Sequence, residues 1–252
     1  MRNTLTLPIR AGTAMLAVSL STLCLAQSTP PAPTRNVVTM TQVKPDMLNE
    51  WMDTQKELNA ALKKAGVPRR TVLRPVFGNT YEFVSITPLE SYAQRDNPNP
   101  LTKAIGPEAA ARLFEKSRKC ITGSRSYVGT SLPELSTPPD SPAPISTSSR
   151  VRVAPGKAQD YQNFIKNEIL PLYKKAKAEG KVLGYSVSRR GFGASNSEFT
   201  VTTYYSKFAD LDGGPMLTRM LGQEGVAKVF AKGTGLSTTI ETVVRRRVAD
   251  LS

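Results

Sequence analysis

The sequence contains no histidine at all, and only two cysteines, Cys24 and Cys120. Without histidine there can be no Ser-His-Asp triad, no Cys-His pair, and no histidine ligand for zinc or haem iron. Catalysis would have to rest on carboxylates, Tyr, Lys, Arg or Ser, or on a cofactor carrying its own reactivity. Acidic residues are scarce, 20 against 34 Lys and Arg, which gives a formal net charge of +14. Long apolar runs are missing too. The one uncharged stretch of any length, Ala11 to Leu25, is too short and too rich in Ser and Thr for a membrane span.

That stretch follows Arg2 and Arg10 and ends in Cys24-Leu25-Ala26, with small residues where a signal peptidase reads. Residues 1–26 are therefore expected to be a signal peptide, and 27–35 a proline-bearing spacer. The remainder would be exported, to the periplasm or outside the cell. Lipidation at Cys24 is the competing reading, but Leu23 stands where such sites want a small residue. Cleavage after Ala26 would leave a net charge of +12 and one thiol, Cys120. With no cysteine pair there is no internal disulfide, so stability has to come from burial. Cys120 itself reads as a buried or incidental thiol, since no histidine exists to activate it.

What is present is a repeat. Leu101 to Lys116 aligns without a gap over Leu217 to Lys232, with seven of sixteen positions identical. The offset of 116 persists back to Glu82-Phe83 over Glu198-Phe199 and forward to Glu134-Leu135 over Asp250-Leu251. Upstream it shrinks stepwise, reaching 110 where Val43-Lys44-Pro45 meets Val153-Ala154-Pro155. A drift that changes only at turns or within one helix is what duplication followed by small insertions leaves. The copies are expected at 36–135 and 146–252. Between them 136–145, with Pro138, Pro139, Pro142 and Pro144, reads as an extended, solvated linker.

Each copy reads strand, helix, strand, strand, helix, strand. Pro45 can open a helix at its first turn, and Leu48, Trp51, Met52, Leu58, Leu62 and Ala65 recur at helical spacing up to Gly66. The second copy repeats this from Ala158 to Gly180, where Pro171 should kink the helix. Hairpins are expected around Gly78-Asn79 and around 191–196, then a helix after Gly106 or Gly222, then closing strands at 121–130 and 238–248. This is an α+β chain built from two ferredoxin-like βαββαβ units. One such unit covers only one face of its sheet with helices, so the tandem copy should supply the partner sheet within the chain.

The Val-x-Pro opening, the aromatic on each first helix (Trp51, Tyr161), the strand pair ending in Thr or Tyr and the element order resemble the dimeric α/β-barrel superfamily. The resemblance spans both copies and is strongest to NIPSNAP-like and antibiotic-biosynthesis-monooxygenase-like members. It implies an intramolecular pseudo-dimer and a superfamily of cofactor-free monooxygenases, haem-handling enzymes and proteins without assigned activity. Haem-handling members generally use a histidine, which this sequence lacks. No cofactor and no metal site are expected.

If the sheets face each other, alternate strand residues line the space between them. Glu82 and Glu198 are then candidate acid-base groups, or else carboxylates that point to solvent or pair with nearby arginine. Tyr204 is the third catalytic candidate. Thr200 and Thr202 share its face and, with Trp51 and Tyr161, are candidates for holding a small molecule. The aromatics serve equally well as core. Among the basic clusters, Arg189, Arg190, Arg245 and Arg247 are candidates for binding an anion, with Arg245 and Arg247 on one strand face and Arg246 on the other. No nucleic-acid motif accompanies them. The expected partner is a small-molecule ligand in the barrel cavity. An anionic envelope surface gripped by the arginine clusters, or a scaffold without chemistry, is the alternative.

Overall fold

The computed structural model describes residues 32–67 and 70–252. The expected signal peptide, residues 27–31 of the spacer, and Arg69 lie outside the described residues. Eight strands form: β1 (Arg35–Val43), β2 (Thr71–Pro75), β3 (Glu82–Leu89), β4 (Ile121–Ser131), β5 (Ile145–Val153), β6 (Gly184–Arg190), β7 (Glu198–Tyr205) and β8 (Ser237–Arg247). The helices are α1 (Leu48–Lys64), α2 (Pro100–Ile105), α3 (Pro107–Lys119), α4 (Ala158–Phe164), α5 (Leu170–Ala178) and α6 (Met216–Ala231). The strands close into one barrel in the order β1-β3-β2-β8-β5-β7-β6-β4.

Each half contributes a four-stranded antiparallel sheet, β4-β1-β3-β2 and β8-β5-β7-β6. The halves pair in matching registers. Gln42 stands opposite Glu82 in β1–β3, and Arg152 opposite Glu198 in β5–β7. These partners are related by the same offsets, 110 and 116, that align the sequence. Two short seams close the barrel. Leu73, Arg74 and Pro75 pair with Arg247, Arg246 and Arg245, and Gly129, Thr130 and Ser131 pair with Arg190, Arg189 and Ser188. Closure leaves neither sheet with an open edge.

The helices cover the outside because one face of each strand carries large apolar side chains. Trp51 packs on Phe83 with ring centroids 4.4 Å apart, and Tyr161 on Phe199 at 5.2 Å. All four are buried, and burying such side chains supplies roughly 1.5–3 kcal/mol each. The tails cross over. The turn Pro133–Leu135 that follows β4 places Leu135 in the core of the second half, while Leu251 after β8 is buried beside Trp51 and Phe83 in the first. Cys120 is buried in that core and donates to the Lys116 carbonyl at 3.3 Å. Burial raises its pKa, which keeps it an inert thiol.

The structure refines two sequence expectations here. Pro171 does not simply kink its helix. A π-helical turn, Ile165–Ile169, precedes α5 and places Pro171 in that helix's first turn, where a missing N–H is tolerated. Residues 136–145 are extended and in part exposed, as expected of a solvated linker, but they are also docked on the second half. Thr137 exchanges backbone hydrogen bonds with Tyr185 at 2.8 and 2.7 Å, and Lys177 Nζ donates to the Pro138 carbonyl at 2.6 Å and to Asp140 at 2.8 Å. The Arg247 N–H donates to the Pro144 carbonyl at 2.8 Å. This close approach requires Gly184, because a Cβ there would collide with the backbone of Pro138 and Pro139. The proline segment is a strap across one mouth of the barrel.

Candidate functional site

The strand alternation that sends Phe83 and Phe199 outward sends their neighbours into the barrel. From the first half come Val38, Met40, Leu73, Val84 and Ile86; from the second come Ser146, Ser148, Ser186, Ser188, Thr200, Thr202 and Tyr204. The cavity between them has a volume of 610 Å³, within the range of pockets that take a small organic molecule. The first half's wall is the more apolar, although Asn36, Thr71, Tyr127 and Ser131 also line it, and the second half's wall is rich in hydroxyls. The strap closes one end with Pro138, Pro139, Pro142 and Ala143.

Three arginines line the cavity, Arg190, Arg245 and Arg247, and no carboxylate does. Their placement follows from the seams. Arg190 sits opposite Gly129, Arg245 opposite Pro75 and Arg247 opposite Leu73. Arg190 lies over the Tyr127 ring at 4.4 Å, and its Nε donates to Thr200 Oγ1 at 3.2 Å. Arg245 is only 9% exposed, and among the described residues it forms no ion pair. Its Nε has no hydrogen-bond partner, nor have Arg247 Nε and Ser146 Oγ. Burial lowers the pKa of Arg245, with Glu82, Tyr127 and Glu241 opposing that shift and Arg190 adding to it. A guanidinium remains charged throughout.

Two pairs of hydroxyls elsewhere on the wall meet each other. Ser148 Oγ and Thr202 Oγ1 lie 3.1 Å apart, and Ser186 Oγ and the Tyr204 hydroxyl 2.9 Å. Burial pushes the Tyr204 phenol up despite the Ser186 bond, so it is a neutral donor at physiological pH. This donor set of hydroxyls and guanidiniums suits an oxyanion and offers nothing to a metal cation.

The carboxylate candidates are already engaged. Glu82 is 3.5 Å from Arg125, and the buried Glu198 accepts from Arg152 at 3.0 Å and lies 3.8 Å from Arg190. Neither lines the large cavity. Glu198 borders a second, 220 Å³ hollow with Arg125, Arg150 and the hairpin residues Gly193 to Ser195. Each carboxylate balances arginine charge, the alternative left open by the sequence. Trp51 and Tyr161 lie between helix and sheet, outside the barrel, where they are buried as core; burial raises the Tyr161 pKa. Thr200, Thr202 and Tyr204 do line the cavity. Of the four arginine candidates, Arg190, Arg245 and Arg247 turn inward, while Arg189 is exposed and donates to the Asn196 carbonyl at 3.2 Å. The serines and Tyr127 escaped the sequence reading. Their signal was partly present: serines recur at period two in 146–148 and 186–188, where the aligned first-half positions are Asn36, Val38, Thr71 and Leu73, so two of the four change from apolar to hydroxyl.

No protein-family profile matches the sequence, and no curated protein matches it. Solved structures do. A candidate monooxygenase from Lactobacillus acidophilus NCFM is 13% identical with a TM-score of 0.55, covering 87% of this chain and 95% of its own. A double mutant of chlorite dismutase from Candidatus Nitrospira defluvii is 6% identical with a TM-score of 0.54, covering 86% and 92%. An anthrone oxidase-like protein is 11% identical with a TM-score of 0.52, covering 85% and 91%. At these identities the likeness establishes a shared fold, that of the dimeric α/β barrel, and the fold alone.

Proposed function

We propose that this chain binds a small organic molecule inside its barrel, between the apolar wall of the first half and the hydroxyl wall of the second. The observation that carries the reading is the 610 Å³ cavity with opposed wall chemistry and buried polar atoms left without partners. A cavity needed only for packing would be filled with side chains and free of orphaned donors. The matched registers of the halves support descent from one duplicated unit, NIPSNAP-like in element order. Divergence of the second half's inner face would then have made the site. Export through residues 1–26 belongs to the same proposal.

Native mass spectrometry of the protein purified from its own host tests the reading. A bound mass should accompany the protein, and Ser148→Phe, which puts a ring into the cavity, should lower its occupancy at least tenfold with unchanged far-UV circular dichroism. Ile86→Trp, from the opposite wall, serves if the first variant folds poorly. A bound mass retained at full occupancy in both variants would place the ligand elsewhere.

A catalytic version is a cofactor-free oxygenase in which the substrate's own anion reacts with dioxygen. The names of two structural neighbours, a candidate monooxygenase and an anthrone oxidase-like protein, favour it. Arg245 would hold the anion in a water-poor site, where a fixed charge acts strongly. Oxygen uptake with anthrone should then exceed the rate in buffer and fall about a hundredfold in Arg245→Met, the scale of losing one such electrostatic group. Uptake equal to buffer removes this version and leaves the binding reading intact.

A further inference from the structure

Resting on the binding site proposed above, we infer that its occupant is an amphipathic organic oxyanion, a carboxylate in the first instance. Its head would be held by Arg245 and Ser146 with Arg190 nearby, and its apolar part would lie along Val38, Val84 and Ile86. Arg245 is desolvated without a counter-ion, an arrangement that is unfavourable unless a ligand completes it. Ser146 is its register partner on β5 and carries an unpartnered, buried hydroxyl, so the two donors converge from adjacent strands.

The aligned first-half positions are Asn36 and Gly129, which carry no charge. Positive charge is therefore confined to one side of the cavity, and the far wall offers Val38, Val84 and Ile86 as apolar surface among uncharged polar neighbours such as Asn36 and Thr71. A planar guanidinium grips carboxylate or phosphate through two parallel hydrogen bonds, so both heads fit the chemistry and the tail distinguishes an organic ligand from a free ion.

Titration calorimetry on the purified full chain, stripped of any bound mass, uses naphthoate, naphthyl phosphate, naphthamide and inorganic phosphate as probes. Naphthoate should bind at least tenfold more tightly than naphthamide, the scale of a charge-assisted hydrogen bond. In Arg245→Met the two should bind alike, because only the charged contact is gone. The same variant should melt higher than the parent when empty, since an uncompensated buried charge has been removed, and should lose the rise in Tm that naphthoate gives. Arg245→Lys keeps the charge without the fork and should fall between; it stands in if the methionine variant does not fold.

Tighter binding of naphthyl phosphate would keep the oxyanion and change its head group. Naphthamide binding as tightly as naphthoate would overturn the anion inference and leave interior binding standing. Inorganic phosphate binding as tightly as either naphthyl anion would overturn the apolar half. If no probe binds and the cavity-filling variants retain their bound mass, the interior site itself fails.

Discussion

Phe199→Ala is expected to lower the unfolding free energy by about 3–5 kcal/mol, the range for deleting a fully buried aromatic ring. Phe199 has no exposed surface, lies against Tyr161, and sits on β7 with Val151 of β5 on one side and Arg189 of β6 on the other. The second-half core is one continuous cluster running from Leu135 to Leu217, so little of it is free to collapse into the vacated space. Phe83, its counterpart in the first half, makes an informative comparison. Its cluster is smaller, six buried residues against sixteen, so fewer packed neighbours hold the walls of the vacated space apart. Phe83→Ala should therefore cost less than Phe199→Ala. Against a total stability of about 5–15 kcal/mol, either loss is visible as a large shift of the urea midpoint. Equal costs would show that both cores relax to the same degree, and a Phe199→Ala cost under about 1 kcal/mol would contradict the packing described.

Parts of these cores were legible in the sequence, which states them in two registers. Period-two alternation put Phe83 and Phe199 on one strand face, helical spacing put Trp51 and Tyr161 on the first helices, and the offsets of 116 and 110 tied each residue to its counterpart. The closing strands expected at 121–130 and 238–248 form as Ile121–Ser131 and Ser237–Arg247. The site was legible only in part. Alternation separates Arg245 and Arg247 from Arg246, but it cannot say which face is inside. That depends on which half meets which at the seams, pairings between residues more than fifty apart that leave no local pattern. The same holds for the strap. Proline composition argues for an extended backbone, and the backbone here is extended; what composition cannot encode is that Gly184 leaves room for it to dock. The carboxylates were ambiguous because a buried glutamate and an ion-paired one look alike until the arginine across the strand is known. Glu198 faces Arg152 in the β5–β7 register, a cross-strand pair that only the fold reveals.

The buried pair that Glu198 forms with Arg190 carries the second large effect. Glu198→Gln is expected to cost about 3 kcal/mol, the lower end of the range for breaking a buried pair by removing one partner. Most of the loss should come from Arg190 and little from Arg152, whose side chain is 61% exposed and therefore worth at most about 1 kcal/mol. Arg190 and Glu198 both have side chains 8% exposed, and with the carboxylate gone Arg190 retains only Thr200 and the face of Tyr127. Burial already lowers the Arg190 pKa, with Tyr127 and Glu198 as the opposing influences, so removing Glu198 leaves a charge with less compensation than before. A double-mutant cycle separates the two sources: Arg190→Met in the Glu198→Gln background should recover most of the lost stability, whereas Arg152→Met should recover almost none. The same substitution should act in the opposite direction on the ligand. Arg190 borders both hollows, and once released from Glu198 it can turn its free N–H groups toward the larger one, so naphthoate should bind several-fold more tightly to Glu198→Gln than to the parent. A variant that is less stable when empty yet tighter for an organic anion is what a carboxylate competing with the ligand for one arginine produces. Unchanged affinity alongside the stability loss would mean that Glu198 serves the barrel's charge balance alone and that Arg245 holds the anion without help.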